Sequence, residues 1–538
     1  MVLVTALYGC SADEAAEPHE PAVAEAAFEV RVEPEVVAIT TGPAGGEIVP
    51  FSAFRVEDDG TETPLDGAFW SLSNLSAGEL SVDGTFTPSA TNGGISWVVA
   101  SVGDTSGQGT VTVVYEETVN ESGLDTSLFD GTPVPVTGLW AYPGDGVSFP
   151  RNTPSVHFQW QVASPVGYRL ELSSALSRTL VYTTEPGWIA DGARWSRITA
   201  TNAGGSVTAT LRAIDDLGRV VEDVPLTLAV NRMDAEGSII YWSTSESGLV
   251  EIPFGGVAAP FLTSAETGHC VGCHVISKGG KVAFTYDGGD GGLGVRDLSD
   301  GTDIVPHGSG MAANFKTFSP DDRFLLSTLY GNLTLHDAST GAVLGVARAS
   351  GDVTMPDWSP DDTQLVVAQS DGHSSDIFLS SHTRLSVLPH LGEGAFGEPV
   401  TLHDPPAPSR VCYPSFSPDG EWIVFVVSTG DCYDDPDAEL WILDKSGLKP
   451  ALRLDQLNGG AGLTNSWPRW APLPDDSVMW IAFSSKRAYG TQVAGIPQLW
   501  AAAFDPVVAA AGFDGSYPAF WLPGQNVATG NHIPMWVE

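Results

Sequence analysis

The sequence predicts an all-β protein, two N-terminal β-sandwiches followed by a six-bladed β-propeller, and three observations carry that expectation. Gly 60 and Pro 38 punctuate runs of Val, Ile, Thr and aromatic residues, and turn formers between β-branched stretches mean many short strands. Short alternating runs recur from Phe28 onward with Gly, Asn and Asp between them, the spacing of sandwich strands. From Gly237 one pattern repeats: an apolar or aromatic run, S-P-D-[DG] or a variant, then a second apolar run. A sustained repeat is the signature of stacked units, and 538 residues exceed what one core accommodates.

The elements follow in order. Residues 1–10, MVLVTALYGC, are apolar up to Gly9-Cys10 and then give way to acidic, Ala- and Pro-rich sequence. They resemble the end of a bacterial lipoprotein signal, with Leu7-Tyr8-Gly9 before the cysteine. The resemblance implies lipidation of Cys10 and, through Ser11, an outer-membrane lipoprotein facing the periplasm or the cell surface. Residues 11–27 hold Ala, Glu and Pro with almost nothing large and apolar, the composition of a flexible linker.

Residues 28–116 form the first expected sandwich. Its phrases GELSVDGTFTP and VVASVGDTSGQGTVTV resemble the bacterial immunoglobulin-like domains of surface proteins, without the Cys…Trp…Cys pattern of the antibody type. Residues 117–134 are expected as a second linker. The segment 135–235, with VHFQWQVAS, GYRLELSS, ATLRAID and LTLAVNR as strands, resembles a fibronectin-type sandwich. Neither sandwich carries a catalytic constellation, so both are expected to space or to bind.

Within 236–538 the copies are NFKTFSPDDRFLLSTL, TMPDWSPDDTQLVVAQ, CYPSFSPDGEWIVFVV and, more loosely, SWPRWAPLPDDSVMWIAF. Each is a hairpin: Pro presets φ at the first corner, Asp caps the turn and Gly tolerates positive φ. NLTLHDA, DIFLSS, ELWILDK and QLWAAAF follow as third strands, which makes each repeat a propeller blade. The pattern resembles the TolB-like β-propellers. NHIPMWVE at the carboxy terminus matches a first strand, and IIYWSTSESGLVEIPFG at 239–255 the second and third, so the two ends of the segment complete one blade.

GHCVGCHVISKGGKVAFTY, 268–286, aligns as a further copy, with SKGG in the place of SPDG. Cys273 then takes the position of Phe315, Met355, Tyr413 and Trp467, and His274 that of Pro356, Pro414 and Pro468, on an innermost strand beside the channel mouth. Cys-X-X-Cys-His is the attachment sequence of c-type haem, two thiols bonding the porphyrin and the adjacent histidine reaching iron. Three readings fit: one covalent haem c on Cys270 and Cys273 with His274 as proximal ligand; a Cys270–Cys273 disulfide; and zinc on His269, Cys270, Cys273 and His274. For haem, Met355 is the expected distal ligand, with Met311 and His307 as fallbacks and His373 third.

Cys412 and Cys432 flank a hairpin whose ends antiparallel pairing brings together, so a disulfide is expected, two free thiols being the alternative. GDCYDDPDAE crowds Asp431, Asp434, Asp435 and Asp437 with Glu439; this is either a calcium site or a solvated turn, as is DGGDGG at 287–292. With 66 acidic against 24 basic residues the formal charge is −42, which repels phosphate backbones and excludes nucleic acid while favouring cations. No apolar run reaches the roughly 18–20 residues of a spanning helix, so membrane contact is expected only through the lipid anchor. No G-x-S-x-G elbow, P-loop or H-E-x-x-H helix supports a hydrolase. The combined expectation is a monomeric, exported c-type haem protein that transfers electrons to a redox partner at the envelope, not a classical enzyme; peroxidase chemistry would need an open coordination site. The alternative is an envelope scaffold that binds protein or glycan, its haem or CxxC motif structural or sensory.

Overall fold

A computed structural model describes residues 28–161, 164, 166–371, 382–472 and 478–538. Cys10, segments 1–10 and 11–27, His373 and the DIFLSS strand lie outside the described residues. The chain forms two compact units, the first closing at Val113 and the second running from Val114 to Glu538 with Thr91–Gly93.

The first unit is strands only, apart from one short turn of 3-10 helix at Leu75–Ala77. Gly94–Val102 and Thr105–Val119 pair antiparallel, and Gly94–Val102 pairs on its other side with Phe69–Leu72. In Gly94–Val102 every second residue from Gly94 to Ala100 is buried, because successive side chains of a strand point to opposite faces. Phe51, Phe86, Val98, Ala100, Val111 and Val113 form its core.

In the second unit, Tyr115–Val119 at the end of strand Thr105–Val119 pair in parallel with Ser177–Val181. The stretch expected as a linker at 117–134 is therefore folded: Val119 is buried, and the short helix Thr126–Phe129 buries Phe129 against Tyr182, ring centroids 5.6 Å apart. A polar segment anchored by one aromatic side chain has the composition of a linker, and only its contacts distinguish the two. The same part of the chain also holds an unexpected helix, Gly192–Thr201, whose N-cap Asp191 accepts the Arg194 N–H at 2.9 Å and whose Trp195 is fully buried. Nor is the segment 135–235 a detached spacer. Phe149 packs on Phe520 with centroids 5.3 Å apart, and the Trp521 N–H donates to the Tyr142 hydroxyl at 3.2 Å.

The rest of the unit is a β-propeller of antiparallel meanders. Their leading, innermost strands are Val271–Ile276, Lys316–Phe318, Val353–Trp358, Arg410–Phe416, Ser466–Trp470 and Asn531–Val537. The last of these pairs with Ser238–Ser243, followed outward by Gly248–Pro253 and Ala259–Leu262. The turn after each leading strand follows its sequence. Ser319, Ser359 and Ser417 bond the aspartate two residues on, and the fourth turn residue sits at φ 59 in Asp322, 60 in Asp362, 72 in Gly420 and 78 in Gly280. Only Gly, and Asp or Asn at small cost, occupy that left-handed region readily.

Cys412 and Cys432 are joined across 20 residues of sequence. Closing a loop of that length removes enough unfolded-chain entropy to stabilise by about 3 kcal/mol. The double substitution Cys412→Ala/Cys432→Ala is expected to lower the unfolding free energy of this unit by about that amount in urea, and an unchanged midpoint would refute it.

Candidate functional site at the channel mouth

The innermost strands other than Lys316–Phe318 share a backbone irregularity that turns one side chain of each out of the strand's alternation. Cys273, Met355, Tyr413, Trp467 and Ile533 all have left-handed φ, between 46 and 54. The ladder slips at the same places, between Gly272 and Val275, Thr354 and Asp357, Cys412 and Ser415, and Ser466 and Arg469. These are β-bulges, which turn a side chain out of its normal alternation. The alignment of Cys273 with Met355, Tyr413 and Trp467 is thus visible in the backbone.

These residues and Phe315 meet at the channel. Tyr413 and Trp467 stack with ring centroids 4.0 Å apart, and Phe315 lies 5.7 Å from Trp467. Met355 is buried, and its Sδ accepts the Tyr413 N–H at 3.2 Å. Cys273, His274, Phe315, Met355, Tyr413 and Trp467 together line a void of only about 20 Å³, room for about one water.

Cys270 and Cys273 are both free thiols and both partly exposed. Burial pushes the Cys273 thiol up, with the Lys316 charge and a bond to Thr285 opposing. Between them Gly272 is tightly placed, since a Cβ there would lie 3.1 Å from the Trp242 indole. His274 is buried, and its Nε2–H donates to the Ile240 carbonyl of the adjacent blade at 3.0 Å, which leaves Nδ1 bare in the interior. Burial drives its pKa down to about 3, helped by the Lys316 and Arg469 charges and opposed by the Ile240 bond.

A porphyrin is not seated by this arrangement. Both thiols are present, yet the nitrogen that would reach iron is committed to Ile240, and the 20 Å³ void beside Cys273 is far below the several hundred Å³ of a cofactor pocket. Met355 does share the void with Cys273 and His274. Met311 packs elsewhere, beside Ala283, Leu293 and Phe318. His307 stacks on His269 with ring centroids 3.5 Å apart.

Lys316 escaped the sequence reading. It is buried, and its ammonium donates to the Cys273 carbonyl at 2.8 Å, Thr285 Oγ1 at 3.0 Å and Asn314 carbonyl at 2.9 Å. Burial lowers its pKa to about 8. The signal was available in the repeat register: Lys316 and His274 hold the place that is Pro356, Pro414, Pro468 and Pro534 elsewhere.

The acidic loop does not form a cation cage. Asp431 accepts the Tyr433 N–H, Asp434 pairs with Lys486 at 2.6 Å, Asp435 accepts from the Ser428 hydroxyl and Asp437 from Thr429. Each carboxylate has its own partner. Among the described residues the one cluster of three metal-ligating side chains is His269, Asp287 and His307.

At the opposite mouth, where the innermost strands end, lies a cleft of about 450 Å³. Phe261, Phe416, Trp470 and Trp536 contribute apolar walls, and Asp357, Arg469 and the exposed Lys278 contribute charge. Burial raises the Asp357 carboxyl and lowers the Arg469 guanidinium, each opposed by the other's charge.

No family model and no curated protein matches the chain. Among solved structures, TolB from Acinetobacter baumannii is 14% identical with a TM-score of 0.38, covering 62% of this chain and 80% of its own. A TolB from Agrobacterium tumefaciens is 17% identical with a TM-score of 0.32, covering 54% and 89%. The dihydro-haem d1 dehydrogenase NirN is 17% identical with a TM-score of 0.33, covering 54% and 55%. The chemistry of the site is argued from this chain's own residues.

Proposed function

We propose that this chain is an envelope binding protein, a closed ring of six blades carrying two immunoglobulin- or fibronectin-like sandwiches, which takes a segment of protein or glycan into the cleft at the strand-exit mouth. The observation that carries the reading is that cleft of about 450 Å³, with aromatic walls and a few charged groups, the composition of a recognition site. The filled channel supports a rigid platform rather than a conduit. A joined Cys412–Cys432 pair suits an oxidising compartment, and a lipid on Cys10 would tether the protein, as a monomer, to the outer membrane. Glycan fragments and envelope-protein peptides are the ligands to titrate by calorimetry. Phe261→Ala, on the cleft wall, is expected to cost about 1–2 kcal/mol of binding; no binding by the unaltered protein, or equal binding by the variant, would end the reading.

Covalent haem c with electron transfer is the second reading, favoured by two thiols that stay free at the channel mouth while Cys412 and Cys432 are joined. It requires His274 to leave Ile240. A pyridine haemochrome spectrum and intact mass, on protein matured with a c-type haem system, separate the readings: one haem's added mass establishes the cofactor, and a haem-free chain that still binds its ligand leaves the scaffold.

A further inference from the structure

We propose that His269, Asp287 and His307 bind a first-row divalent transition ion of the zinc class, at a site separate from the Cys270, Cys273 and His274 motif. One nitrogen of each imidazole and one carboxylate oxygen lie within 4.8 Å of one another. His269 Nδ1 is 2.8 Å and His307 Nε2 is 3.6 Å from the same Asp287 Oδ2.

All three residues belong to one blade. His269 precedes its innermost strand, Asp287 directly follows Lys281–Tyr286, and His307 follows Asp303–Val305. Their placement is held by the sheet. Asp287 sits at φ 56 with its N–H donating to the Cys270 carbonyl at 3.0 Å. Thr267 Oγ1 donates to the His269 carbonyl at 2.7 Å, and the Tyr286 ring lies edge-on to both imidazoles at 5.8 and 5.0 Å.

Of the two contacts one already has an ion's spacing, the other must widen, and the imidazoles, now stacked at 3.5 Å, must tilt for both nitrogens to face one ion. Zinc binds nitrogen and oxygen at 2.0–2.2 Å, so tetrahedral ligand atoms stand roughly 3.3–3.6 Å apart. The 3.6 Å contact of His307 already has that spacing and is beyond hydrogen-bond reach. The 2.8 Å contact of His269 must widen by about half an ångström. In doing so His269 moves its ring proton from Nδ1 to Nε2, and the bare Nδ1 takes the ion. Two imidazoles and one carboxylate select a borderline ion over calcium or magnesium, which require oxygen-rich shells. The side chains are 33%, 50% and 45% exposed for His269, Asp287 and His307, so the remaining positions face water. The charge of −42 raises the local cation concentration.

The test is zinc titration by calorimetry on untagged, chelator-treated full-length protein, with millimolar magnesium present to occupy the diffuse acidic surface. One equivalent is expected to bind. His307→Ala and Asp287→Asn should each weaken it at least ~10-fold, with thermal unfolding of the apo variants unchanged, while Cys270→Ser/Cys273→Ser retains it. Asn tolerates the left-handed backbone at 287, so that variant keeps the fold. No zinc uptake overturns the proposal, as does uptake lost with the cysteines and kept in His307→Ala. Haemochrome and cleft-ligand measurements on the same samples read the two functional proposals independently of this outcome.

Discussion

Lowering the pH from 7 to 4 is expected to remove about 3 kcal/mol of folding free energy from the second unit through His274 alone. The ring is buried with Nε2–H on the Ile240 carbonyl, and desolvation holds its pKa at about 3 against an ordinary 6.5. The folded value lies below the unfolded one, and the group is a base. Between these values the unfolded chain therefore takes up a proton that the native chain refuses. The stability is complete above pH 6.5 and is lost as pH falls through the window toward 3. His532, held down to about 4 by burial with Asp434 opposing, has the same sign and steepens the loss. Urea unfolding at pH 7, 5.5 and 4 measures it. His274→Gln keeps a donor for Ile240 without the titration, so its stability should fall less steeply with acid. Equal slopes in variant and parent would mean that His274 is not the buried neutral base described here.

Replacing Trp467 by Ala should destabilise the propeller by about 3–5 kcal/mol, the cost of an aromatic removed from a closed core. Its ring is buried, stacked at 4.0 Å on Tyr413 and 5.7 Å from Phe315, and these neighbours sit on separate strands that cannot close the gap by a simple rotamer change. The backbone adds a second, more specific outcome. Trp467 has φ 54, where glycine is unstrained and alanine is not, so Trp467→Gly should be more stable than Trp467→Ala by roughly 1 kcal/mol. Gly is ordinarily the worse residue in a strand, so the reverse order would contradict the bulge. Denaturant midpoints of the two variants decide it.

Much of the fold was legible because its signals are local. The S-P-D-[DG] turns act within four residues, and their fourth position takes left-handed φ in Asp322, Asp362 and Gly420. The pairing of Asn531–Val537 with Ser238–Ser243 followed from the same alignment. The expected linker at 117–134 failed because Phe129 finds Tyr182, Ile214 and Val220 only in three dimensions. The acidic loop stayed open between a calcium site and a solvated turn because sequence density counts carboxylates without their partners, and Lys486, which takes Asp434, lies 52 residues away.

By itself the sequence determined the strand and turn grammar, the repeat, and which residue of each innermost strand stands at the channel. Those depend on turn chemistry and periodicity, which a few consecutive residues specify. Only the tertiary structure decided what the functional side chains meet. A bulge at Cys273 breaks the alternation by which a strand's faces can be counted, so the burial of His274 on Ile240 does not follow from adjacency in the chain. The same holds for His269, Asp287 and His307, which are separated in sequence and meet because antiparallel strands of one blade return their ends to one edge of the sheet.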